Sequence, residues 1–187
     1  MVGTAGTPPA GARVAWRVIA LLTATPCATA GWYPLRLKVK VCGICRTDLH
    51  VVEGDLPPRR MPVIPGHQIV GVVERLGPGV TGVKAGERVG VAWLHQTCGK
   101  CRFCKSGREN LCEQAAFTGY DFDGGYAEYA LADERFAYPL PGVLDDVDVA
   151  PLLCAGIIGY RALVLSGAQP GQQPLQAVVR QDERVAA

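Results

Sequence analysis

Leu35, Leu37, Val39 and Val41 are separated by Arg36, Lys38 and Lys40, an alternation that predicts a strand with one face buried and the other in water. Cys42 to Cys45 stand at its end, where Gly43 allows a turn, and Thr47 to Val52 reads as a short helical turn. Pro57, Pro58 and Pro62 break regular structure, so residues 56–65 are expected to form a loop. Apolar residues return between Gly66 and Gly77, with Gly71 among them and Gly79, Val80, Gly86 and Val89 behind. Glycines so placed mark points where the strands of a small barrel bend or approach closely. A turn and strand are expected across Val83 to Val89, and another strand across Gly124 to Ala130. Pro151 to Leu163 is apolar with small residues, the pattern of a buried turn that opens a helix.

Composition supports the same picture. Twenty-three glycines and fourteen prolines, spread along the chain, suit many short strands joined by tight turns, hence a mainly β fold with a few short helices. With 187 residues the chain can bury one substantial core, or one domain and a stub of another. A net charge of +2 with 19% charged residues leaves no basic stripe for nucleic acid. No apolar run reaches the roughly eighteen residues of a membrane span.

The chemistry is concentrated in two places. Cys42-Gly-Ile-Cys45-Arg-Thr-Asp-Leu-His50, with Gly66-His67-Gln68, brings thiol, hydroxyl, carboxylate and imidazole groups close in sequence. Such groups can hold a metal ion and carry a proton away from it. Further on, Cys98, Cys101 and Cys104 are spaced by two residues, and Cys112 follows after seven. Four thiolates at those separations can close a tetrahedron around zinc and leave no position open for chemistry. A ferredoxin-type iron–sulfur motif begins in the same way, but it needs three residues before a fourth cysteine followed by proline, and here Glu113 follows. The pattern therefore reads as a structural staple.

Read together, these stretches resemble the zinc-dependent alcohol dehydrogenases of the medium-chain dehydrogenase/reductase superfamily, over roughly Leu35 to Gly171. The resemblance implies a GroES-like catalytic domain over residues 35–153, with a structural zinc lobe at 94–114 held by Cys98, Cys101, Cys104 and Cys112. It implies a catalytic zinc on Cys45, His67 and Cys154, with Thr47 and His50 relaying the proton and Asp48 orienting the histidine. Arg46 matches a contact to cofactor phosphate. Gln68 stands where the family usually has glutamate, so an amide replaces a carboxylate behind the metal. Cys42 is not at a ligand position, and it, Cys27 and His95 are given no role. Trp93 reads either as a wall of the substrate pocket or as core packing.

The implied reaction is oxidation of a small alcohol to an aldehyde or ketone by zinc-alkoxide hydride transfer to NAD or NADP, in a protein that forms homo-oligomers in the family. Nucleic acid and membrane are not expected partners. Zinc thiolates need a reducing compartment, which points to the cytoplasm. The competing reading is a non-catalytic zinc-binding module of the same fold.

Both ends depart from the family pattern. Residues 1–34 lack the opening strand pair the family carries there, while Arg13, Arg17, the apolar Val18 to Leu22 and Ala28 to Ala30 are the parts of a secretory signal. That run is short, and Pro26 and Cys27 interrupt its end, so export is the lesser reading and residues 1–34 are expected to be an irregular or mis-assigned N-terminal segment. Residues 154–187 are expected to begin an interdomain helix and then stop. Gln172 to Ala187 contains no Gly-rich dinucleotide fingerprint, so a Rossmann domain is not expected and the chain reads as a catalytic-domain fragment with impaired activity.

Overall fold

The stretch from Leu35 to Val41 lies in an inner strand of the sheet, and its apolar residues join the core. In a computed structural model, which describes residues 34–167, β1 (Pro34–Gly43) pairs antiparallel with β2 (Gln68–Leu76) and with β6 (Tyr129–Asp133). The strands β3 (Arg88–Val91) and β7 (Ala137–Pro139) extend the sheet in the order β6-β1-β2-β3-β7, antiparallel throughout. A second ladder of β4 (Leu94–Gln96) and β5 (Ala116–Phe117) carries the cysteine-rich excursion between its strands. The helices are short: α1 (Arg46–Glu53), α2 (Arg102–Lys105), α3 (Asp146–Val149) and α4 (Ala155–Ser166).

The alternation along β1 does not hold to its end. Leu35, Leu37 and Val39 join one apolar cluster with Ile69, Val73, Val83, Val89 and Val91, and the two leucines are fully buried. A register shift between Val39 and Val41 then turns the strand over, because one extra residue reverses which side chains face which side. Val41 packs instead on a second cluster of Val70, Ala92, Val149, Ala150 and Leu153, and Cys42 takes the face that Val39 occupied. The strand therefore has two covered faces near its end where the sequence suggested one. Truncating Leu35 or Leu37 to alanine would cost about 2–5 kcal/mol.

Two further expectations are corrected. Gly124 to Tyr126 do not belong to a strand, and β6 begins only at Tyr129. Those residues lie instead along the backbone of residues 64–66, with Gly124 N–H donating to Ile64 O at 2.7 Å and Gly125 N–H to Gly66 O at 2.8 Å. A side chain at Gly124 would meet Gly66 O at 2.1 Å, so only glycine permits this approach. The turn before α4 is covered only in part: Ala150 and Leu153 are buried in the 3-10 helix Ala150–Leu153, while Pro151 and Leu152 are exposed. The helix itself buries nothing: Ile158 is 64% and Tyr160 70% exposed, and Ile157, Val164 and Leu165 are also exposed.

No single helix among the described residues is long and apolar enough to cross a membrane. The signal-like stretch from Arg13 to Ala30, Cys27 and the tail from Gln172 lie outside the described residues.

Candidate metal centre

Three segments far apart in sequence supply the first group. Cys45 caps the N-terminus of α1, His67 immediately precedes β2, and Cys154 joins the 3-10 turn to α4. Their ligand atoms all lie within 4.8 Å of one another, with Cys45 Sγ and His67 Nε2 at 3.3 Å. Tetrahedral bonds of about 2.3 Å to sulfur and 2.0–2.1 Å to nitrogen would separate such atoms by about 3.6 Å. The donor set therefore fits a zinc ion, and three protein ligands leave the fourth corner to another molecule.

Asp48 organises this group. The residue is only 3% exposed, and its Oδ1 accepts from His67 Nδ1 at 2.9 Å and from Gly66 N–H at 3.2 Å. Its Oδ2 accepts from the backbone N–H of Cys45 at 2.9 Å. One carboxylate thus fixes the backbone of one donor residue and the ring of another, and it leaves His67 Nε2 facing the sulfurs. Burial pushes the Asp48 carboxyl up, but the hydrogen bonds from His67 and Cys45 outweigh it and hold the carboxyl below its ordinary value. His67 is 1% exposed, so without this pairing its imidazole would be a costly buried polar group.

The remaining residues singled out in the sequence are placed as follows. Thr47 is half-buried and His50 lies three residues on in α1, so the two share a helix face. His50 Nδ1 is 2.7 Å from Asp55 Oδ2, and Glu53 joins them in an exposed cluster. Arg46 is exposed at the first position of α1. Gln68 is 2% exposed and faces Gly43 across the β1–β2 ladder, where its Oε1 fills the space of the missing side chain: a Cβ on Gly43 would sit 2.2 Å from it. Its amide also reaches Cys154, whose thiol is pushed up by burial and by the neighbouring Cys45. Trp93 meets His67 edge-on at 5.0 Å and stacks on Phe117 and Tyr120, so its ring borders the three-donor group.

The second group is a lobe of its own. Cys98, Cys101, Cys104 and Cys112 have all four sulfurs within 4.8 Å of one another. Cys98 and Cys104 are 3.9 Å apart and Cys101 and Cys104 3.5 Å. A disulfide would hold sulfurs at about 2.05 Å, whereas tetrahedral zinc–sulfur bonds separate them by about 3.8 Å. Backbone N–H groups of Cys101 and Cys104 point at Cys98 Sγ and Cys101 Sγ. N–H donors from Lys100 and then Cys101 bring the Cys98 thiol down to about 6, which favours the thiolate a metal requires. The cysteines are all free among the described residues, and the four-sulfur geometry is that of a closed site.

Two residues were given no role from sequence. His95 is 1% exposed, stacks on Phe122 at 4.2 Å, and has no partner for its Nε2 among the described residues. Tyr126 crosses above Gly66 and reaches Gly43 O with its hydroxyl. Its only sequence signal is the pair of glycines before it, which marks a close backbone approach without naming the partner.

Residues 33–142 match the family described as alcohol dehydrogenase GroES-like domain, and the chain belongs to that family. "Probable alcohol dehydrogenase AdhA" of Mycobacterium tuberculosis (strain CDC 1551 / Oshkosh) is 53% identical over 142 residues, covering 73% of this chain and 41% of that protein. An alcohol dehydrogenase of Geobacillus stearothermophilus is 48% identical over 137 residues, with 73% and 41% covered. Among solved structures, a cobalt- and zinc-bound thermostable alcohol dehydrogenase from Pyrobaculum aerophilum superposes with a TM-score of 0.68 at 34% identity, covering 74% of this chain and 42% of that one. CAD from Helicobacter pylori, complexed with NADP(H), gives 0.71 at 31% identity, with 78% and 44% covered. The chain spans about two fifths of the length of the curated relatives it matches.

Proposed function

We propose that this chain is the zinc-bearing catalytic portion of an alcohol dehydrogenase, oxidising a small alcohol with NAD or NADP as hydride acceptor. The observation that carries the reading is the convergence of Cys45, His67 and Cys154 on one point from three separate segments. Zinc held there would supply a Lewis acid that makes an alcohol hydroxyl acidic near neutral pH. Asp48 keeps the His67 ring oriented, and Trp93 contributes an apolar wall that limits water and favours a small substrate. Thr47 accepts the substrate proton in a hydrogen bond and His50, one helical turn on, passes it to solvent. The carboxylate of Asp55, 2.7 Å from His50 Nδ1, orients the imidazole. Arg46, exposed beside Cys45, offers a guanidinium fork to a cofactor phosphate.

In the same reading Cys98, Cys101, Cys104 and Cys112 hold a structural zinc, and the reduced thiols imply a cytoplasmic protein. Metal counting tests the assignment. The purified chain, loaded with zinc under reducing conditions, is expected to bind two ions, and Cys154→Ser one. A parent chain that binds a single ion would overturn the catalytic assignment.

A further inference from the structure

Tyr126 lies where two of the three ligand-bearing segments meet, those of Cys45 and His67. Its ring covers Gly66, the residue before His67: a Cβ on Gly66 would come within 2.8 Å of Tyr126 Cδ1 and 2.9 Å of Cε1. Gly66 has φ +99, so the backbone that presents His67 is open to this cover only as glycine. From that position the hydroxyl donates to Gly43 O at 3.3 Å, in the turn that leads to Cys45. Close by lies Asp48, the carboxylate that holds both Cys45 N–H and the His67 ring, which competes with Gly43 O for the single hydroxyl proton. The backbone of Tyr126 is tied to the same place, its N–H donating to Pro65 O at 3.2 Å.

We propose that Tyr126 is a positioning residue of the three-donor metal centre, in which the ring fixes the Gly66–His67 backbone and the hydroxyl holds Gly43 O, at the start of the turn to Cys45. It touches neither ion nor substrate, and it acts through the main chain beside Cys45 and His67. The inference rests on the reading of Cys45, His67 and Cys154 as one metal site.

Loss of a partner of this kind behind a metal lowers affinity by about 10-fold or more. Tyr126→Phe removes only the hydroxyl and keeps the cover over Gly66. The test uses the full chain loaded with zinc, and follows transfer of the metal to a coloured chelator together with the thermal unfolding midpoint. Cys154→Ser identifies the phase that belongs to the three-donor centre. Tyr126→Phe is expected to release that ion about 10-fold faster, with release from the four-cysteine lobe and the unfolding midpoint of the metal-free chain unchanged. Tyr126→Leu, which also loses the ring's cover, should release it faster still. Parent-like release from Tyr126→Phe overturns the inference while leaving the metal site intact. Equal acceleration at both sites with a lowered midpoint assigns the tyrosine to general packing and overturns it too. A parent chain that binds one ion removes the site itself, and the inference with it.

Discussion

His95 should make this domain less stable in mild acid, by an amount the structure sets. The imidazole is almost wholly buried, stacked on Phe122, with Nδ1 3.4 Å from Thr118 Oγ1 and Nε2 unpartnered among the described residues. Burial depresses its pKa from 6.5 to about 4, against the opposing pull of Asp133 and Asp121. Between those values the unfolded chain binds a proton that the folded chain refuses. Stability is therefore full above pH 6.5 and is lost as the pH falls towards 4, by about 3 kcal/mol over the whole window at about 1.36 kcal/mol per pH unit. Between pH 7 and pH 5 the loss assigned to this one residue is about 2 kcal/mol. His95→Phe keeps a ring against Phe122 and cannot titrate. Urea unfolding of parent and variant at both pH values isolates the term, because effects of pH on the cysteine-rich sites are common to both and cancel. The parent should lose about 2 kcal/mol more than the variant between pH 7 and pH 5. An equal pH dependence in the two proteins would refute the reasoning, and would mean that the buried nitrogen finds a partner.

Three other outcomes follow from particular contacts. Asp48→Asn cannot satisfy all three donors, since its amide NH2 must face Cys45 N–H or the pair from Gly66 and His67. It should weaken zinc binding at the three-donor centre about 10-fold and lower stability by about 1–3 kcal/mol, read by chelator competition and urea unfolding. Gly43→Ala places a methyl group 2.2 Å from Gln68 Oε1. It should displace that amide and cost about 1–3 kcal/mol, with the Gln68 side-chain NH2 resonances shifted in an NMR spectrum. Ile158→Lys combined with Leu165→Lys should reduce self-association in sedimentation, with the unfolding free energy unchanged within about 0.5 kcal/mol, because neither side chain is buried.

Much of this molecule can be read from its residues in order, and the exceptions have physical causes. The strand at Leu35 to Val39 was legible because its two chemistries alternate with the pleat, and the cysteine lobe because ligand spacing within one loop is a local property. The switch at Val41 was not, since valine suits either face and the bulge shows only when β1 is paired with β2. Gly124 to Tyr126 run straight into a strand and were read as part of it, yet the close approach to Gly66 decides their path. Cys45, His67 and Cys154 could be named from their neighbours, while their meeting depends on the packing of β1, β2 and the turn before α4. Tyr126 was passed over and His95 left without a role because an aromatic residue among strands looks the same from sequence whether it packs idly, supports a neighbour or hides a titratable ring.

Cadmium-113 NMR of the reconstituted chain tests the central claim most directly, because scalar coupling passes only through metal–ligand bonds. The account predicts two resonances, one coupled to β-protons of Cys98, Cys101, Cys104 and Cys112, and the other to β-protons of Cys45 and Cys154 together with a ring proton of His67. A second resonance that couples to Cys45 or His67 while Cys154 couples to no metal would contradict it.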